Sequence, residues 1–492
     1  MTTNAADNSL STTARNLING AWSDDGTVAE SFSPSTGRLV GRFISAGAAE
    51  AEAAIAAART AFDSTSWSRD AGSRSRALHE LADRLSERAE EIAASLSSEG
   101  GKLLRQTGWE IALAVDWLRY AAASAVTQAA GDAAEVAPGV NFRSMPEPLG
   151  VAGIISPWNS PIILTVRALG PALAAGCTVV AKLPGQTGVT NWLFAQVVAA
   201  TKSLPSGVVN ILSETGNVVA PALVESPDVE VISYTGSTHV GRAIAAAGAK
   251  TLKRLNLELG GKTPLVVFED ADLDVAVPTI ITALVAMNGQ FCVTGSRVLV
   301  HHSIADRLRA VLVKAIGSVV VGPSDDPASQ IGPLIDAASA QRVDRIVQEA
   351  SAYGTVLVRG GLVEDDARPG GAYYQPSMVE VASVDAPLVQ QEVFGPVQTF
   401  EIFEDEKDAV RRANATEFGL GAAVFTRDAL RAQRVSQAIK AGTVWTNCWG
   451  VLSERFEQGA FKQSGYGYLC GPRAIETFQN IRVYAQAGPV QG

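Results

Sequence analysis

GVAGIISPWNSPIILTVRALGPALAAGCTVVAKLPGQT, residues 150–187, contains two short runs that are apolar throughout, GVAGIIS and CTVVAK, with an apolar, Ala-rich segment between them. A strand with one wet face alternates apolar and polar residues. A strand apolar at every position is buried on both faces, as in a parallel sheet covered by helices. Further apolar runs follow at 208–213 (VVNILS), 229–233 (VEVIS) and 263–268 (TPLVVF), separated by Ala-rich helical segments. Strand–helix alternation of this kind predicts an α/β fold with parallel sheets. After about residue 258 a second α/β stretch runs to about 470. Upstream, residues 47–98 read as two helices, with Leu78, Leu81, Leu85, Ile92 and Leu96 on one stripe. No long Pro/Gly linker or internal repeat separates the bodies, so a cleft between them is the expected ligand site.

Composition narrows the function. The 492 residues are 47% hydrophobic and 18% charged, with 50 acids against 40 Lys+Arg and a net charge of -10. No basic footprint exists for nucleic acid. The apolar run VAVPTIITALVAM is too short to span a bilayer and contains Pro278, so no membrane partner is expected. Cys177, Cys292, Cys448 and Cys470 lie far apart, and with His79, His239, His301 and His302 they form no zinc spacing. No metal is expected, and His301–His302 reads as a strand end. Few cysteines without a disulfide framework suit a reducing cytoplasm. The polar start, MTTNAADNSLSTTAR, has no secretory h-region and reads as a disordered arm over 1–15.

Several stretches carry candidate chemistry. NGQFCVTGSR (288–297) sets Cys292 among small polar residues and glycines, as a nucleophile or as a packed thiol. Asn159 lies between Pro157 and Pro161, which stiffen the backbone and aim its amide. Glu258, within LNLELGGK, sits among leucines, where a carboxylate gains a partner or a raised pKa suited to a general base. No GxGxxG follows a strand, but SYTGSTHVGRAI (233–244) offers Gly236 and Ser237 at a strand-to-helix turn. That turn is a phosphate cradle or a plain helix start. Lys182 follows a strand, where open α/β sheets bind ligands. QEVFGPV (391–397) offers Glu392 and Phe394.

In their order and spacing, PWN, the lysine after a strand, TGSTxxGR, LELGGK, GQxC, EVFGP and GTVWTN with FKQSG resemble the aldehyde dehydrogenase superfamily, from NGAWSDDG nearly to the end. The resemblance implies an NAD(P)-binding domain at 16–124 and 146–257, a catalytic domain at 258–455 and a small β oligomerisation flap at 125–145 and 474–492. Both domains would be doubly wound α/β, and the assembly a homodimer or homotetramer. It implies Cys292 as nucleophile, Glu258 as general base and Asn159 as oxyanion donor, each such donor contributing roughly 3–4 kcal/mol. Hydride passes to the cofactor, leaving a thioester that Glu-activated water hydrolyses to a carboxylic acid. The implied cofactor contacts are Ser156, Trp158, Lys182, Gly185, Gly236, Ser237, Leu259, Glu392 and Phe394. The implied substrate contacts are Ser160, Leu164, Arg167, Phe291, Val293, Trp449, Leu452 and Gln458.

The chain departs from the family pattern in three ways. Gly185 replaces a glutamate that commonly binds the adenosine ribose. Its loss would admit NADP beside NAD, with Lys182 facing a phosphate. Ala168 and Leu469 replace a lysine and a glutamate that relay protons to the base. Ser160, Gln458 and Arg167 replace two phenylalanines and a tryptophan found in members taking short aliphatic aldehydes. The wider tunnel implies a bulky or aromatic aldehyde, with a polar or acidic group facing Arg167, or else an arginine turned outward to a structural acid. Three rival readings stand beside aldehyde oxidation: a coenzyme-A-acylating relative, a cofactor-free hydrolase and a catalytically idle binding protein. Glu258 argues against the first, and the intact Cys292, Glu258 and Asn159 against the last.

Overall fold

A computed structural model describes residues 13–128, 131–365 and 367–488. Two sheets organise them. The first has the order Ala21–Ser23, Asn16–Ile18, Val209–Glu214, Thr178–Pro184, Val151–Ile155, Val231–Thr235, Arg254–Glu258 and Gly465–Tyr466. Its five central strands are parallel. From Val151–Ile155 the chain winds outward on one side through Thr178–Pro184 and Val209–Glu214. It then returns to Val231–Thr235 on the other side. The direction reverses beside Ile155, and ligands bind outside the carboxyl ends of strands at such a point. The second sheet has the order Thr355–Val358, Ser377–Glu380, Val397–Phe403, Arg297–His301, Pro264–Val267, Gly421–Phe425 and Thr443–Thr446. It is parallel except at its Thr355–Val358 edge.

The apolar runs read from the sequence form these parallel strands, and Val151–Ile155 and Pro264–Val267 are buried at every residue. The helical region differs from expectation. Three helices, Ala48–Ser64, Ala71–Glu87 and Ala89–Gly100, fill 47–98 instead of two. Arg88, at φ -113° and ψ 16°, breaks the regular helix for one residue. The stripe survives the break because Leu85 and Ile92 are seven residues apart, and all five of its residues are fully buried. Asp70 starts the second helix by accepting a hydrogen bond from the Ser73 N–H at 3.0 Å.

A three-stranded sheet, Ala133–Ala137, Val140–Pro148 and Gln479–Ala487, stands apart from both larger sheets. The helix Leu104–Thr127 runs to its foot, so the strands begin later than 125. Most of the arm expected over 1–15 lies outside the described residues. Ala14, however, is buried and pairs with the backbone of Arg42 and Ile44, so that end of the segment is docked. Among the described residues no helix is long and apolar enough to cross a membrane.

Candidate active site

Strand register lines up the functional ends of the first sheet. Ile155 pairs with Lys182 and Tyr234, Pro184 with Glu214, and Thr235 with Glu258. Backbone pairing thus brings two acids, a lysine and the PWN turn to one edge. Beyond Ile155 the chain turns through Pro157 and enters the helix Pro161–Ala175 with proline in its first turn. Asn159 lies in that turn and is buried. Its amide donates one N–H to the Gln290 carbonyl at 3.0 Å. The turn is thereby tied to the Cys292 loop while a second amide N–H stays available.

The Cys292 loop is itself held under strain. Met287 and Asn288 adopt left-handed backbone angles, φ 49° and 59°, a conformation that costs non-glycine residues about 1–3 kcal/mol each. Asn288 offsets the cost from a fully buried position. Its amide donates to the carbonyls of Gly101 and Pro333 at 2.9 and 2.8 Å, and its oxygen accepts from Gly332 N–H at 2.8 Å. Gly261 must be glycine here, since a Cβ would lie 2.2 Å from the Cys292 carbonyl oxygen. That close approach accounts for the second glycine of LELGGK.

Two cavities meet at the same three side chains. One is walled by Trp109, Trp117, Phe291 and Trp445. The other runs along the strand ends past Lys182, Glu214, Gly236 and Glu392. Cys292, Glu258 and Asn159 line both.

Burial sets the electrostatics of this junction. It pushes the Cys292 thiol up to about 12, which Arg167 opposes and Glu392 and Glu258 reinforce. Cys292 at rest is therefore a thiol and needs a base. Burial also raises Glu258 to about 7, with Arg167 acting the other way. A carboxylate near 7 accepts and releases protons at neutral pH. Its Oε1 is buried and has no hydrogen-bond partner, and Glu258 lines both cavities. Burial lifts Glu392 to about 7 as well, opposed by the Gly261 N–H it accepts at 3.1 Å and by Lys262 and Arg342.

The fold is shared with known proteins. Residues 22–484 match the profile of the aldehyde dehydrogenase family. The chain belongs to the aldehyde dehydrogenase family. It is an oxidoreductase of the NAD(P)-dependent, aldehyde-oxidising kind. Human 2-aminomuconic semialdehyde dehydrogenase is 36% identical over 472 residues, 95% of this chain and 96% of that protein. Rice mitochondrial succinate-semialdehyde dehydrogenase is 36% identical over 457 residues, 92% of this chain and 85% of that one. Betaine aldehyde dehydrogenase of Staphylococcus aureus, solved in complex with NAD+, superposes with a TM-score of 0.93 at 30% identity, covering 96% of this chain and 95% of that one.

Within this aldehyde dehydrogenase most residues expected at the site do converge. Ser156, Trp158, Lys182, Gly236, Ser237, Leu259, Glu392 and Phe394 line the long cavity. Trp158 and Phe394 pack edge to face at 5.4 Å, and Ser237 caps the helix Thr238–Gly248. Ser160, Leu164, Arg167, Phe291, Val293, Leu452 and Gln458 line the aromatic cavity.

Three expectations need correction. Gly185 is buried off the long cavity, and Pro184 and Gln186 reach it instead. Trp449 stands behind the wall: it donates to the Val293 carbonyl at 2.9 Å and packs edge-on to Phe291, while Trp445 lines the space. Arg167 turns neither outward nor freely toward a substrate. It donates to Gln458 Oε1 at 2.8 Å and Thr235 Oγ1 at 3.1 Å, and stands 3.9 Å from Glu258.

The sequence reading passed over Asn288, Glu214, Trp109 and Trp117. Asn288 and Glu214 sat inside quoted or neighbouring runs, NGQFC and VVNILSE. The tryptophans, more than 170 residues before Cys292 on the helix Leu104–Thr127, left no local signal.

Proposed function

We propose that this enzyme oxidises a bulky or aromatic aldehyde to its carboxylic acid through a thioester on Cys292. The meeting of the aromatic cavity and the strand-end cavity at Cys292, Glu258 and Asn159 carries the reading. Aldehyde enters from the aromatic side. The Cys292 thiol gives up its proton to water in the cavity, and Sγ adds to the carbonyl carbon. The free amide N–H of Asn159 and the backbone N–H of Cys292 receive the oxyanion. The long cavity fits NAD(P): two carboxylates line it, Glu392 acting on Cys292 and Glu214 beside Lys182, one for each ribose of a dinucleotide. When bound, it supplies the hydride acceptor. Glu258 then takes a proton from water, the oxygen attacks the thioester carbon, and Cys292 leaves with the acid released.

Residues 16–124 and 146–257 serve as the cofactor domain and 258–455 as the catalytic domain. The flap within 125–145 and 474–492 serves self-association. Val136, Phe142, Ile481, Val483 and Tyr484 are exposed on its strands, which favours a homodimer or homotetramer. All four cysteines are unpaired, which favours the cytoplasm.

The test is rapid mixing of enzyme, NAD and benzaldehyde. A burst of reduced cofactor followed by slower turnover to benzoate is expected. Turnover of esters without any cofactor reduction by aldehydes would replace this reading with a hydrolase.

A further inference from the structure

Resting on the reading of the long cavity as a dinucleotide site, we propose that Glu214 selects NAD over NADP by presenting its carboxylate to the ribose nearest Lys182. Glu214 ends the strand Val209–Glu214, and its side chain is 1% exposed. One oxygen, Oε1, accepts from the backbone N–H groups of Val218 and Val219. The other, Oε2, is buried with no hydrogen-bond partner, in a residue that lines the long cavity. A buried carboxylate oxygen left unpaired is costly. A ribose hydroxyl arriving in the cavity would donate to it and remove that cost.

Charge gives the selectivity. A 2′-phosphate carries about -1.5 to -2 charges at neutral pH and would face the carboxylate at close range. Lys182 does not relieve this. Its Nζ already lies 3.8 Å from Glu214 Oε2, so its charge is largely answered.

Sterics explain why the acid comes from residue 214. A Cβ at residue 185 would lie 2.9 Å from the Glu214 carbonyl oxygen and 2.6 Å from Thr215 Cγ2. The Glu214–Thr215 segment fills the space that a side chain at 185 requires. Gly185 and Glu214 are thus two halves of one exchange, and the loss of an acid at 185 does not open the site to NADP.

Dissociation constants for NAD and NADP, measured without aldehyde by tryptophan fluorescence or calorimetry, test the proposal. Wild-type enzyme is expected to bind NADP at least about tenfold more weakly than NAD, a difference of about 1.4 kcal/mol. Glu214→Gln keeps an oxygen for Val218 and Val219 but removes the charge. It is expected to shrink the NADP/NAD ratio about tenfold, chiefly by tightening NADP. Adding Lys182→Met to that variant should cancel the gain, because the freed ammonium would then be absent. Equal binding of both dinucleotides to wild type, or an unchanged ratio in Glu214→Gln, overturns the role of Glu214 alone. Failure of wild type to bind either dinucleotide overturns the cofactor site itself.

Discussion

The guanidinium of Arg167 stands 3.9 Å from the carboxylate of Glu258, and both side chains are less than a tenth exposed. Glu258 therefore answers to one cation and to whatever water the cavity admits. Burial raises its pKa to about 7 and Arg167 pulls it down. The base works when deprotonated, so thioester hydrolysis is expected to rise with pH through about 7. Arg167→Met removes the opposing charge, so the inflection should move to higher pH while the burst amplitude holds. Steady-state pH profiles beside single-turnover traces check this. An inflection that does not move would show that Arg167 leaves the base untouched.

Cys292→Ala should abolish oxidation while dinucleotide affinity stays near wild type, because the long cavity takes most of its wall from other segments. Residual turnover above roughly one hundredth of wild type would disqualify Cys292 as nucleophile.

Glu258→Gln separates the two halves of the reaction. Hydride transfer should survive as a burst, and turnover should fall by about two to four orders of magnitude, the usual contribution of general-base catalysis. Parallel loss of burst and turnover would place Glu258 before deacylation, at the thiol.

Asn288→Ala should cost both stability and activity. It leaves the carbonyls of Gly101 and Pro333 and the Gly332 N–H without their partner, all in the core. A loss of about 2–4 kcal/mol is expected in denaturant unfolding. The left-handed turn at 287–288 would relax and Cys292 would shift, so kcat should fall more than cofactor affinity does. An Asn288→Ala enzyme with normal stability would mean the strain is held elsewhere.

What could be read in advance follows the range of the forces involved. The strands were legible because burial on both faces leaves an unbroken apolar run in the sequence. Glu258 and Asn159 stood out through the family resemblance, since the prolines, leucines and glycines beside them also suit a plain turn or a solvent-facing acid. Glu214 did not, since an acid at a strand end normally faces water. Only the register Pro184↔Glu214 and the crowding at Gly185 turn it inward. The partners of Arg167 were illegible for a related reason. Thr235, Glu258 and Gln458 lie 68, 91 and 291 residues away, and the sequence carries no trace of that polar cluster.

The substrate prediction follows from that cluster. Exchanging two phenylalanines and a tryptophan for Ser160, Gln458 and Arg167 does more than open space. Gln458 supplies the acceptor that holds Arg167 at 2.8 Å, and the Ser160 hydroxyl meets buried Lys102 Nζ at 3.2 Å. The polar replacements are tied to protein partners, so the surface left for a substrate is the aromatic wall of Trp109, Trp117, Phe291 and Trp445. An aromatic ring entering this cavity gains edge and face contacts that acetaldehyde cannot make. Each properly buried part of a substrate contributes roughly 1–3 kcal/mol, so benzaldehyde-sized aldehydes should exceed acetaldehyde by tens-fold or more in kcat/KM. A carboxylate on the substrate would have to compete for Arg167 with Gln458, Thr235 and Glu258, which already hold its two terminal nitrogens. Succinic semialdehyde should therefore trail a neutral aromatic aldehyde, even though relatives at 36% identity carry that semialdehyde in their names. Arg167→Leu should leave the ratio between charged and neutral aldehydes unchanged while altering the pH profile. A clear preference for acetaldehyde would sink the aromatic-wall reading. A preference for succinic semialdehyde that Arg167→Leu removes would show that the arginine leaves its partners to bind the substrate.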